Sequence, residues 1–377
     1  MFPSPSPLSL LCALLLCFPL AFFYTINTPL PAASTTGNNP LPGTGNQAAE
    51  GNDRGSVFLR SSPPVGRRQP LSRLSGRVGF EPGAAGKRRK LAFMFLTTTP
   101  LPFAPLWELF FRDAPAGAYN VYVHADPSYN YTTPFGGVFA GRVIPSMPTR
   151  RNTASLAAAA RRLLAHALRH DRGNRMFALL SPHCIPLHSF NFTYAAVIDS
   201  GRSFIEVLAN EPWALPRWLA RGDTAMLPEV KFEDFRIGSQ FFILTRKHAR
   251  VVVRDRKLWR KFRAPCLEAE TCYPEEQYFP TLLHMVDPQG VATATLTHVD
   301  WSRSSGGHPR TYNATEVGPG LIRALRDDRP RYGDEEINNG SNMTAFKRRD
   351  PFIFARKFSP DTLGSLMSIA EGCILKD

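Results

Sequence analysis

Apolar residues in this chain fall into short continuous runs separated by helix-spaced stripes, and that alternation predicts an α/β architecture. Leu91-Ala-Phe-Met-Phe-Leu96, bounded by a basic patch and by Thr-Thr-Thr-Pro, predicts a buried strand. A helix with Leu106, Trp107, Phe110 and Phe111 on one face follows, and Tyr119 to His124 predicts a second buried strand. Strand, helix and strand in that order make a parallel unit. Ligands of open parallel sheets bind beyond the strand C-termini, which is where His124-Ala-Asp126 falls. Ser155 to His170 predicts a helix with Leu156, Leu163, Leu164 and Leu168 turned inward and its arginines forming a solvated face. Met176 to Leu180 predicts a third strand, Gly238 to Thr245 a further one, and His248 to Arg256 the helix behind it.

Upstream of these elements the pattern changes. Residues 7–26 are uncharged and almost wholly apolar, about the length a helix needs to cross a bilayer. Residues 27–89 are rich in Pro, Gly, Ser and Asn and cannot bury enough apolar surface to offset their ordering entropy. The expected layout is a short cytosolic tail (1–6), a signal-anchor (7–26), a disordered lumenal stem (27–89) and one catalytic domain (90–377). A net charge of +14 points to an anionic partner: nucleic acid, a membrane surface or a nucleotide-linked substrate. Nucleic acid is disfavoured because no aromatic-plus-basic platform or reader helix is present. Sequons at Asn130, Asn191, Asn313, Asn339 and Asn342 suit a lumenal domain. Of six cysteines, four lie beyond the anchor, and the short Cys266 to Cys272 loop is the first expected disulfide. Neither C-x-x-C nor H-E-x-x-H occurs, so no zinc site is expected.

The most informative stretch is Cys266 to Thr281, CLEAETCYPEEQYFPT. Pro274 can open a helix with Glu275 and Glu276 in its first turn, where the helix dipole favours carboxylates. One such carboxylate, within hydrogen-bond reach of a sugar hydroxyl, could act as a general base while the second tunes it. The alternative is a solvated helix N-terminus that happens to carry two acids.

Seven blocks in order, K-L-A-F-M-F-L, L-P-F-A-P-L-W-x-x-F-F, Y-N-V-Y-V-H-A-D-P, F-A-L-L-S-P-H-C-I-P-L, D-F-R-I-G-S-Q-F-F, C-Y-P-E-E-Q-Y-F-P-T and F-A-R-K-F-S-P, carry a resemblance. The chain resembles the core-2/I-branching β-1,6-N-acetylglucosaminyltransferases, glycosyltransferase family 14, and most of all their plant branch. The resemblance implies a single-pass type II Golgi membrane protein. Its implied catalytic domain is GT-A-like, with a mixed, mostly parallel sheet flanked by helices. It further implies inverting transfer of a GlcNAc-like sugar from a UDP-sugar to a glycan hydroxyl, with no divalent metal and no other cofactor.

Residue by residue, the resemblance implies Glu276 as catalytic base with Glu275 beside it, and Asp126 with His124 at the nucleotide. Lys357 and Arg326 would steady the departing diphosphate, and Trp301 would lie against the acceptor sugar. The sequence departs from the pattern in three places. Arg151-Asn152 stands where Trp-Gly is expected, Phe241 stands where Trp is favoured, and Gly201 to Met226 carries Glu206, Glu211, Trp213 and Trp218 in place of a shorter loop. Two alternatives follow: an inactive Golgi glycan-binding or scaffold member of the same fold, or a glucuronosyltransferase acting on arabinogalactan.

Overall fold

The computed structural model describes residues 88–131, 135–304, 307–334 and 350–377. All belong to one compact unit, Glu81–Asp377. The expected anchor at 7–26, nearly all of the expected stem, Asn339 and Asn342 lie outside the described residues. Among the described residues no helix is long and apolar enough to cross a membrane.

Strand β1 (Lys90–Thr97) is buried from Leu91 onward because parallel strands β2 (Tyr119–Ala125) and β3 (Asn174–Leu180) flank it. A strand covered on both faces needs no polar alternation. Its side chains still divide with period two: Leu91, Phe93 and Phe95 enter one core, Ala92, Met94 and Leu96 the other. On the first face lies α1 (Ala104–Arg112), whose Trp107, Phe110 and Phe111 meet Phe93 edge-on at 5.0 to 6.2 Å.

On the second face lies α2 (Ser155–His170), with Ala157, Ala160, Leu163 and Leu164 fully buried. Its arginines do not form a uniformly solvated face. Arg162 and Arg169 are exposed, but Arg161 turns inward, donates to the carbonyls of Val252 and Asp255 and to the Tyr278 hydroxyl, and stacks 4.6 Å from the Trp259 ring. The cause is the neighbouring helix end at Val252–Asp255, whose last carbonyls have no partner within their own helix.

The main sheet has the order β2-β1-β3-β6-β5-β7, adding β5 (Ser203–Phe204), β6 (Ile243–Thr245) and β7 (Val291–Ala292). β6 runs antiparallel to β3 and β5, so the sheet is mixed but mostly parallel. Only the last three residues of the strand expected over 238–245 are strand; Gly238 is instead drawn away by the bond described below. A second sheet, β4-β9-β8, joins β4 (Ile185–Pro186), β9 (Phe354–Arg356) and β8 (Thr297–Val299). Its central strand delivers Arg356 and Lys357. The remaining helices are α3 (Phe190–Ile198), α4 (Ala214–Leu219), α5 (Arg246–Arg254), α6 (Lys257–Phe262), α7 (Pro274–Val286), α8 (Pro319–Asp327) and α9 (Leu363–Ile369). Helix α5 begins two residues before the expected His248 because the Thr245 side chain caps it, accepting from the His248 amide.

Candidate active site

The site is built on the first turn of α7. Pro274 occupies its opening position, where a missing N–H costs nothing, and Glu275 and Glu276 follow. Pro280 lies inside the same helix and cannot donate to the carbonyl four residues back, that of Glu276. That freed oxygen accepts instead from the Gly238 amide at 2.8 Å. Gly238 can pass here only because it lacks a side chain: a Cβ would lie 2.0 Å from the Glu206 carbonyl oxygen. One proline thus ties the acid-bearing turn to the Gly238-Ser239-Gln240 segment and to Glu206.

The two acids differ. Glu275 is buried, its Oε2 has no hydrogen-bond partner, and its carboxyl is pushed up to about 8. Burial is the main cause and the Glu276 charge adds to it, against the opposing pull of Arg151 and Arg217. Glu276 is half-buried and bonds Arg217 of α4 through Oε2 at 3.0 Å. Burial raises its pKa as well, opposed by Arg217, Arg356 and Arg151. The pair therefore favours a single negative charge, borne by the residue with the ion-pair partner. Glu206 completes the acidic side: burial raises its pKa, Arg331 at 3.7 Å opposes the rise, and Glu211 and Glu276 add to it.

Cations surround these acids. Tyr273, just before α7, is flanked by Arg217 at 4.8 Å and Arg151 at 6.0 Å from its ring centre. The Arg151 guanidinium also contacts His308 and the Gly307 carbonyl. Arg356 lies 4.5 Å from the centre of the Phe241 ring, and its Nε is buried without a partner. Phe241 is the position where Trp was expected, and the smaller ring still supports the guanidinium. Lys357 has its pKa lowered by burial and then by repulsion from Arg356 and Arg151. Burial also lowers His308, with Arg151, Lys357 and Arg356 adding to the effect. Arg151, Arg356 and Lys357 thus form one positive cluster that reaches Glu276 through Arg151 and Arg356.

At the end of β2, Asp126 is fully buried and accepts from the amides of Ser128 at 2.8 Å and Thr149 at 2.6 Å and from the Thr149 hydroxyl. Burial would raise its pKa, but these bonds outweigh that and hold it low. His124 Nε2 accepts from the Met147 amide at 3.3 Å, while its Nδ1 is buried without a partner. Both residues therefore fix the segment 147–149, two residues before Arg151. That is how the strand end is joined to the cationic cluster.

Other expected residues lie elsewhere. Arg326 in α8 donates to the carbonyls of Leu187 at 2.6 Å, Ile374 at 2.8 Å and Lys376 at 3.1 Å. This corrects the expectation for it: its guanidinium fastens the C-terminal segment, and Arg151 and Arg356 stand among the acids instead. Trp301 is exposed and lines a cleft of about 550 Å³ with His298, Asp300, Arg310 and Tyr312, a lining that contains none of Asp126, Glu275, Glu276 and Lys357. Cys266 and Cys272 are disulfide-bonded with Cα atoms 6.0 Å apart, ahead of α7. Asn130, Asn191 and Asn313 are exposed. Among the described residues no group of three or more His, Cys, Asp or Glu side chains could hold a metal ion.

Sequence reasoning missed Arg217, Arg356 and His308 and gave Glu206 no role. Arg217 is the lone cation of Ala-Leu-Pro-Arg-Trp-Leu, in a segment that stood out for its length, its acids and its tryptophans. Arg356 adjoins Lys357, and a strand assignment for Phe354–Arg356 would have drawn attention to it. His308 gave no signal.

The sequence model of the Core-2/I-Branching enzyme family covers residues 91–326. Glycosyltransferase BC10 of Oryza sativa subsp. japonica is 32% identical over 302 residues, spanning 72% of this chain and 74% of that protein. Among solved structures, galactosyltransferase LgtC in complex with donor and acceptor sugar analogs covers 76% of this chain and 97% of its own, with 7% identity and a TM-score of 0.37. With most of the domain matched by the family and a plant glycosyltransferase aligned along nearly three quarters of its length, the chain belongs to the core-2/I-branching enzyme family of glycosyltransferases.

Proposed function

We propose that the protein transfers a GlcNAc-like sugar from a UDP-sugar to a glycan hydroxyl with inversion at the anomeric carbon, on a GT-A-like domain and without a divalent metal. Glu276 carries the reading, being a half-buried carboxylate with a raised pKa whose Oε2 alone is engaged by Arg217. Its other oxygen takes the acceptor proton, the acceptor oxygen attacks the anomeric carbon, and the bond from that carbon to the β-phosphate oxygen breaks. The electron pair departs with UDP. Arg151, Arg356 and Lys357 supply preorganised positive charge for the leaving diphosphate, the work first expected of Lys357 with Arg326. A base whose pKa lies above the ordinary carboxylate range accepts a proton more readily at neutral pH. Glu275, held protonated, keeps a second negative charge away from the pair. Asp126 and His124 anchor the wall against which the nucleotide lies, and Trp301 offers a flat face to a distal part of the acceptor.

Placement of this domain in the Golgi lumen, behind an anchor at residues 7–26, is part of the same proposal. The exposed sequon asparagines and the Cys266–Cys272 disulfide support it. The test is a transfer and hydrolysis screen with a panel of UDP-sugars, UDP-glucuronic acid included, comparing the parent with Glu276→Gln. Turnover should fall by about 10²- to 10⁴-fold while UDP affinity is kept. Full activity in Glu276→Gln would end the base assignment, and UDP binding with no transfer in the parent would favour an inactive scaffold.

A further inference from the structure

At the opposite end of the central strands lies a second concentration of charge. β3 has 7 residues, and at about 3.3 Å per residue its N-terminal end is about 20 Å from the end that leads to the candidate active site. β6 pairs antiparallel with it, Met176 opposite Thr245, so α5 starts at that far end of the strands. A groove of about 550 Å³ opens there, lined by Arg175, Arg246, Lys247, Arg250, Val251 and Arg254.

The cations have different duties. Arg246 forms the floor, donating to the carbonyls of Leu168, Asp171 and Asn174. Lys247 is paired with Asp287. Arg175, Arg250 and Arg254 are exposed and have no hydrogen-bond or ion-pair partner among the described residues. Burial, then repulsion from Arg250 and Arg175, lowers the pKa of Arg246, with Asp171 opposing the shift. Arg246, Arg250 and Arg254 recur every four residues, so they rise along the helix in steps of about 6 Å.

We propose that this groove binds an acidic polysaccharide: a linear chain whose carboxylates pair with the row of guanidinium groups. Guanidinium forks suit carboxylates in bidentate pairing. A concave groove admits a single extended chain, whereas a bilayer surface is broad and flat. No aromatic residue lines the groove to stack nucleic-acid bases.

The experiment titrates the full chain with sodium polygalacturonate, with neutral dextran, anionic vesicles and zwitterionic vesicles as separate arms. A triple variant, Arg175→Ala with Arg250→Ala and Arg254→Ala, is compared with a control, Lys257→Ala with Arg263→Ala and Arg323→Ala, that removes three exposed cations elsewhere. The groove variant should bind polygalacturonate about tenfold more weakly, with binding that fades as salt is raised. Its melting temperature and UDP-sugar hydrolysis should match the parent, which separates this proposal from the transfer reaction. Equal loss in the control, unchanged binding in the groove variant, or binding to anionic vesicles alone would overturn it.

Discussion

Glu275→Gln isolates the energetic consequence of burying a second acid at the head of α7. In the folded protein this carboxyl rises from an ordinary 4.5 to about 8, chiefly through burial. Between those pH values the native state holds a proton that the unfolded chain has released, so stability falls as pH rises through the interval. At about 1.4 kcal/mol per pH unit, the loss is about 3 kcal/mol by pH 7 and about 5 kcal/mol once Glu275 is fully ionised. The amide cannot ionise, so denaturant unfolding of the variant should lack this slope between pH 5 and 8. Its curve should converge with or cross that of the parent from below as pH rises. The vertical offset depends on how the buried amide is partnered, but the difference in slope does not. Parallel curves across that range would refute the assignment of Glu275 as a buried, protonated acid.

Three further outcomes follow from named contacts. Arg217→Met removes the ion pair that opposes the raised pKa of Glu276, so the acidic limb of the pH–rate profile should move up by about one unit; an unmoved limb would separate Arg217 from the base. Gly238→Ala forces a methyl group toward the Glu206 carbonyl and should cost about 1–3 kcal/mol in urea unfolding, with a fall in transfer activity as the Glu276 turn shifts. Arg326→Ala strands the carbonyls of Leu187 and Ile374 and should lower stability by about 1–3 kcal/mol, with UDP affinity by calorimetry unchanged. A large loss of UDP affinity in a well-folded Arg326→Ala protein would restore it to the diphosphate site.

How much of this was legible in the sequence depended on whether a feature is local. Leu91–Leu96, Tyr119–His124 and Ser155–His170 could be read because burial on both faces, or on one helical stripe, writes itself into consecutive residues. The Glu275-Glu276 turn was equally visible, since Pro274 marks its start. Arg217, Arg356 and Arg151 come from three distant segments, and no period along the chain foretells their meeting around Tyr273 and Glu276. Arg326 shows the converse: its place in the sequence suggested phosphate, but the carbonyls of a chain terminus claimed its donors first. The strand expected from Gly238 failed because a proline some forty residues downstream offered the Gly238 amide a different acceptor.

That proline also limits how the enzyme can be engineered. Proline in a helix interior costs about 3 kcal/mol relative to alanine, which makes it an inviting target for substitution. An N–H at 280 would compete with the amide of 238 for the Glu276 carbonyl and pull that oxygen back toward the helix axis. What looks like a flaw in α7 is the pin between its first turn and the Gly238 segment, and a thermostabilising campaign should leave it alone.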